Sequence, residues 1–380
     1  MRVLLATNST DRGSTSRTME AWVRRLPSHG VEPLVAIGGE GPLYDALRTA
    51  GVPVHVHRIR QFFTGSGRLP FLMETARLAA RIRASRVDLV HVNEHEHYQV
   101  PARAAWLAGV PAVVHVRFRP DAAMCQWLFK PPCTPRRVFF TSHTQMQDCQ
   151  DAVATAVSRD RFRLVYNGLN KDTFGRDTSA RQRLRAEWHL NPRTIVVGTA
   201  SSISPRKRLD HFIRAVHAMA LSGLDVRAFI AGQPYFGEDR TELSHLQALV
   251  RELDLDSRLT FLGYVEPVEP LYHAWDICVS TSEYETFGMT MLEAMACGCP
   301  VVAYPGGSVA EVIADGGEIV QDGDLVGLSS ALSRLAADET LRSARAEAAR
   351  LRAGAFDVKR SAEQLAMEYA AVLDECRRRE

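Results

Sequence analysis

Short apolar runs alternate with amphipathic stretches from one end of this chain to the other, and that alternation leaves few folds open. In the first half the runs lie at 3–6, 34–37, 54–57, 89–92, 112–116, 138–141 and 163–166. In the second half they lie at 195–198, 226–231, 259–262, 277–280, 301–303 and 318–320. Helical patterns separate most of them. An alternation of this kind builds parallel sheets covered by helices on both faces. The expected fold class is α/β, with two doubly wound sheets. Each would bind ligand at the carboxyl ends of its strands, and a cleft between the domains would form the site.

The chain has 380 residues, 46% hydrophobic and 24% charged, which suits two globular domains with sizeable cores. The first domain is expected to end near Asn167-Gly168, a turn dipeptide, with the next helix starting around Ser179. A last helical stretch, 358–374, follows a break at Ala353-Gly354. No apolar run is long enough to span a bilayer, and the N-terminus reads as a first strand rather than a signal peptide. Seven cysteines occur without a C-x2-C pair, which fits a reduced, cytoplasmic setting. The net charge of +2 conceals an asymmetry. Residues 1–170 carry 22 Lys and Arg against 13 Asp and Glu, whereas the remainder carries 24 against 31. A basic first half suits an anionic partner, a phosphorylated acceptor or a lipid surface; arginines spread over solvated faces would account for it equally well. No nucleic-acid partner is expected.

The stretch from Ser280 to Val302, STSEYETFGMTMLEAMACGCPVV, reads as buried strand, polar loop, helix, Gly stop, Pro and buried strand. Two glutamates bracket the point where loop becomes helix. A helix start presents unpaired N–H groups and partial positive charge, which suits a phosphate, so Phe287, Gly288, Met289 and Thr290 are candidate donor-binding residues. Glu293, about one turn into the helix, can accept from two neighbouring ribose hydroxyls. Glu285, in the loop, would face a second polyol beyond the phosphate. Together these describe a nucleotide sugar.

This block resembles the E-x7-E signature of the family 4 retaining glycosyltransferases, which have the GT-B fold of two Rossmann-like domains. The resemblance implies an N-terminal acceptor-binding domain, 1–170, joined by a returning C-terminal helix, 358–380, and a donor-binding domain, 171–357. A second block, VGTASSISPRKR at 197–208, looks like the family's phosphate-binding loop, with Lys207 matching the family lysine. Three adjacent cations there can neutralise a diphosphate. The family's partner arginine would fall at Ser202, and Arg206 or Arg208 is the candidate substitute. Glu285, Lys207 and Arg206 are therefore the expected catalytic group. Tyr264 and Val265 would sit beside the nucleotide base, and Ser308 and Glu311 beside the donor. Gly13 stands alone where the family usually has paired glycines; helix capping by Ser14 or Thr15 explains that loop as well. In the segment PAVVHVRFR, 111–119, the family commonly has a histidine where Arg117 stands, and Arg117 and His115 become expected sugar contacts.

The segment HVNEHEHY, 91–98, follows a strand. Asn93 and His95 are expected acceptor contacts; loop and cap use is the other reading, and zinc a weaker third. Asp254-x-Asp256 and Asp322-x-Asp324 read as turns and caps rather than metal sites, and no metal or other cofactor is expected to be needed. Residues 62–83 mix aromatics, aliphatics and arginines, which fits either an anionic membrane surface or core packing with arginines outward.

The expected function is transfer of a sugar, with retention, from a UDP-sugar (GDP-sugar next) to a hydroxyl acceptor, in polysaccharide or glycolipid assembly. A peripheral place at the inner face of the membrane goes with a lipid-linked acceptor. The competing readings are a non-catalytic nucleotide-sugar binder, an antibiotic or polyol glycosyltransferase, and an epimerase on the same fold. No second carboxylate is placed for the double displacement of retaining glycosidases.

Overall fold

The computed structural model describes residues 1–57, 68–170, 173–175, 177–234 and 240–378. The chain divides into two compact units, one of residues 1–168 with 356–380 and one of residues 169–355. These divisions fall just before the expected 170/171 and 357/358.

Among the described residues the first unit holds seven strands: β1 (Arg2–Thr7), β2 (Glu32–Ile37), β3 (Val54–Val56), β4 (Leu89–Val92), β5 (Ala112–His115), β6 (Val138–Phe140) and β7 (Phe162–Leu164). Their order is β3-β2-β1-β4-β5-β6-β7, and every pairing is parallel. Both faces are covered. Along β1, Val3 and Leu5 pack into a layer with Met19, Trp22 and Val23, while Leu4 and Ala6 pack into a layer with Leu78, Ala79 and Ile82. A strand with neither face wet carries apolar residues at odd and even positions alike.

The last helix, Val358–Arg377, belongs to this first unit. Val358, Ala362, Leu365, Ala366, Tyr369 and Val372 recur at helical spacing and complete the Trp22 layer. The Trp22 indole N–H donates to Ser361 Oγ at 2.8 Å. Buried Arg137 pairs with Glu368 at 3.2 Å and with Glu375. Gly168 is required where the strand region meets this helix, because a Cβ there would lie 2.3 Å from Val358 Cα.

The second unit holds β8 (Ile195–Ala200), β9 (Val226–Ala231), β10 (Leu259–Gly263), β11 (Ile277–Ser280), β12 (Val301–Ala303) and β13 (Glu318–Ile319). The order is β10-β9-β8-β11-β12-β13, again all parallel. Each sheet is thus doubly wound, as expected. In each, the chain reverses its direction of travel at one place: between β1 and β4 in the first unit, and between β8 and β11 in the second. At such a point the loops leaving neighbouring strands part to opposite faces and leave a crevice.

Leu365→Ala is expected to cost about 2–5 kcal/mol, as other buried leucine truncations do. Hydrogen exchange by peptide should show faster exchange in β1, β4 and β5. Unchanged protection there would remove the last helix from the core of the first unit.

Candidate active site

The loops after β8 and β11 are stitched to each other at the reversal point of the second sheet. After β8 the chain passes through one 3-10 turn, Pro205–Lys207, before the helix Leu209–Leu221. Thr281 Oγ1, just past β11, donates to the Lys207 carbonyl at 2.8 Å. The Glu283 N–H donates to the Arg206 carbonyl at 2.8 Å. The Lys207 ammonium then pairs with Glu285 Oε1, both side chains being largely buried. Burial alone would raise the Glu285 carboxyl. Lys207, with help from Ser282 and Arg206, more than offsets this and holds it below the ordinary glutamate value.

A third loop, after β12, closes on the same point. The Glu285 N–H donates to the Gly306 carbonyl at 3.2 Å, and the Ser308 N–H to the Glu285 carbonyl at 2.8 Å. Ser308 Oγ donates to the Thr286 carbonyl at 2.7 Å. Gly306-Gly307 permits this approach: a Cβ at Gly306 would sit 2.0 Å from the Glu283 carbonyl oxygen, and one at Gly307 2.3 Å from that of Glu285. Ser308 thus ties the Glu285 loop to the loop after β12.

Gly288, in the left-handed region at φ 89°, turns the chain into the helix Met289–Ala296. No side chain caps that helix start, so its first N–H groups are open to an anion. Phe287 and Met289 bury their side chains and can offer only backbone to a ligand, whereas Thr290 is half-buried. Glu293 is 1% exposed, and its Oε2 accepts from Tyr272 OH at 3.0 Å. Ser202 is half-buried, with no hydrogen-bond partner for its hydroxyl. Of the candidate substitute arginines, Arg208 is committed to Asp322 at 2.7 Å, and Arg206 is exposed. Tyr264 is 49% exposed and donates to Glu266, with Val265 half-buried beside it.

In the first unit the expected contact residues His115, Asn93 and His95 are enclosed, and Arg117 is half-buried. His115 is fully buried: its Nδ1 meets His91 Nε2 at 2.7 Å, and its ring stacks on Trp22 at 4.9 Å. Burial, with the nearby Arg117 and His91, drives its pKa well below the usual histidine value, so it is a neutral core residue. Asn93 and His95 are likewise enclosed. Asn93 bonds Glu94 and Arg117, and the His95 ring packs on Phe118. Arg117 is half-buried and acts as a clamp. It donates to the Asn93 carbonyl at 2.9 Å, to Asn93 Oδ1 at 2.7 Å and to Asn167 Oδ1 at 2.9 Å, and lies 5.2 Å over the Trp22 ring. These polar residues lie at or just past strand ends; Trp22 covers His115 and Arg117. Ser14 and Thr15 cap nothing, because the helix Ser14–Arg25 starts with Gly13 as its cap residue.

Glu94 was not anticipated. Its Oε1 accepts from Thr7 Oγ1 and Asn93, its Oε2 has no hydrogen-bond partner, and burial raises its pKa. Tyr272 was also missed, since it reaches Glu293 from 21 residues upstream without any local signal. Among the described residues no group of three or more His, Cys, Asp or Glu could hold a metal ion. Asp324 caps the helix Leu325–Ala337 and Asp254 sits in a turn at φ 57°.

Residues 180–352 match the family model described as "Glycosyl transferases group 1", and residues 13–168 match the "Glycosyl transferase 4-like domain". A D-inositol 3-phosphate glycosyltransferase of Mycobacterium sp. (strain KMS) is 36% identical over 183 residues, 46% of this chain and 40% of that protein. The chain thus spans less than half the length of that relative. An N-acetyl-alpha-D-glucosaminyl L-malate synthase of Bacillus anthracis is 26% identical over 303 residues, 69% of this chain and 77% of that one. The crystal structure of Anabaena HepE in complex with UDP and glucose superposes with a TM-score of 0.84 at 24% identity, over 97% of this chain and 99% of that one.

The Lys207–Glu285 pair has a pH signature. A carboxyl held below 4.5 stabilises the fold above that pH, and the contribution disappears as pH falls through the depressed value. Glu285→Gln is expected to lose about 1–3 kcal/mol at neutral pH, by leaving a buried ammonium poorly paired. Urea unfolding across pH should show the gap to the parent protein closing in acid. A gap independent of pH would refute the ion pair.

Proposed function

We propose, for a chain whose two family matches and fold indicate a GT-B glycosyltransferase, that it transfers a sugar from a nucleotide diphosphate sugar to a hydroxyl acceptor with retention. One observation carries this reading: Lys207, Glu285 and an uncapped helix start converge at the reversal point of the second sheet. The diphosphate lies against the N–H groups after Gly288, with Lys207 and exposed Arg206 neutralising charge on the leaving group. Glu293 holds the ribose from its place beside Tyr272. Glu285 accepts from sugar hydroxyls and orients the anomeric carbon.

The bond from the anomeric carbon to phosphate breaks as the acceptor oxygen bonds the same face of that carbon. The acceptor's proton passes to the departing phosphate oxygen. No enzyme carboxylate is alkylated and no metal is needed. UDP is the favoured nucleotide; HepE has been crystallised with it. The acceptor is an anionic alcohol. Two relatives are named for D-inositol 3-phosphate and L-malate, both anionic alcohols, and residues 1–170 carry the basic surplus. A lipid-linked anionic acceptor fits the same chemistry. The absence of a cation at Ser202 favours a second reading, a donor binder without turnover.

The test is thermal unfolding with UDP, GDP and ADP in the absence of metal. Ligand at about 100 times Kd stabilises by roughly 2.7 kcal/mol. That should move Tm by roughly a degree or two at least. Lys207→Ala is expected to abolish the shift. No shift with any nucleotide would overturn the proposal, and a shift without donor hydrolysis or transfer would favour the binder.

A further inference from the structure

Two neighbouring helices of the first unit expose a surface with an unusual composition. The helix Arg68–Ala84 packs on the helix Gln99–Ala108, and its inner face is formed by Phe71, Thr75, Leu78, Ala79 and Ile82. Its outer face begins with Leu69, 68% exposed, Leu72, 60%, and Met73, 45%. It continues through exposed Ala76, Ala80 and Ala84. The other exposed side chains on this helix are Arg77, Arg81 and Arg83. The one acid, Glu74, is withdrawn from the surface and paired with Arg77 and His57. At the far end of the second helix the exposed side chains are Trp106, 55%, and Leu107, 41%, and Arg83 donates to the Leu107 carbonyl.

A helix covering a soluble domain ordinarily shows water a face of acids, lysines and neutral polar groups. Here both faces of the first helix are apolar, and the outer one carries only apolar residues and arginines. Large apolar side chains with arginine as the sole exposed charge suit the boundary between lipid headgroups and acyl chains, where the apolar tips insert and the guanidiniums meet phosphate. A protein partner of comparable size would be expected to meet polar rim residues of both signs. We infer that the outer face of these two helices, centred on Leu69, Leu72, Met73 and Trp106 and flanked by Arg77, Arg81 and Arg83, docks this protein on an anionic lipid surface. The docking is peripheral, since no described helix is long and apolar enough to cross a membrane. It stands apart from the transferase reading and would hold with a water-soluble acceptor.

Cosedimentation of the full chain with vesicles of phosphatidylcholine, with and without phosphatidylglycerol, tests this. Binding is expected to the anionic vesicles, to weaken in high salt, and to be far lower on phosphatidylcholine alone. The double variant Leu72→Asp, Met73→Asp should bind about tenfold or more weakly, the scale of losing two partly inserted apolar side chains. Arg77→Glu with Arg81→Glu should abolish the preference for anionic lipid. All four side chains are exposed, so unchanged Tm and circular dichroism would show that the fold is kept. Failure of the parent chain to bind anionic vesicles would overturn the inference. So would variants that bind as tightly as the parent.

Discussion

A parallel strand buried on both faces has only its ends left for chemistry. That constraint governs both units. The flanks of each strand are committed to helices, so polar side chains are admitted where strands give way to loops. The two sheets each reverse direction once, and there the loops part. In the second unit the reversal gathers the loops after β8, β11 and β12 into one knot. Backbone hydrogen bonds do the gathering, and the paired glycines at 306 and 307 permit it. The charged pair at its centre is the result of that backbone approach.

The electrostatics of the knot turn on one largely buried ion pair beside a helix start. Lys207 is mostly buried and pairs with Glu285. The adjacent helix start has no side-chain cap. The carboxylate partner offsets the cost of burying the ammonium. The first unit is different. His91, His95 and His115 are enclosed, and burial lowers the pKa of each, while Arg117 clamps a loop in place. Its polar residues at the reversal point hydrogen-bond to one another, and the second carboxylate oxygen of Glu94 lacks a hydrogen bond.

Much of the fold was legible because its signal is local. The runs at 226–231, 277–280 and 301–303 are strands over those residues. Strand ends were less sharply marked: β13 spans Glu318–Ile319, one residue short of the run at 318–320. The block around Glu285 was conspicuous for the same reason, a strand, a left-handed glycine and a helix in sequence. The segment 91–98 carries histidines and glutamates at a strand end, where local pattern suggests exposure, yet His91, Asn93, Glu94 and His95 are buried. His91 and His115 are instead covered by Trp22 from the first helix and Tyr369 from the last, which nothing near residue 91 announces. The residues 62–67 of the mixed aromatic and arginine segment lie outside those described here, so its reading rests on the helix that follows.

By itself the sequence determined the class of fold, the number of sheets and the strands within them. Those features depend on residues close together in the chain, through burial periodicity, turn geometry and helix starts. Tertiary structure alone decided which polar groups meet and which are shut away. Lys207 reaches Glu285 across 78 positions, and Tyr272 reaches Glu293 across 21. Ser361 receives Trp22 across 339. Partners that far apart are brought together by strand order and close packing, and neither is written in the neighbourhood of any one residue.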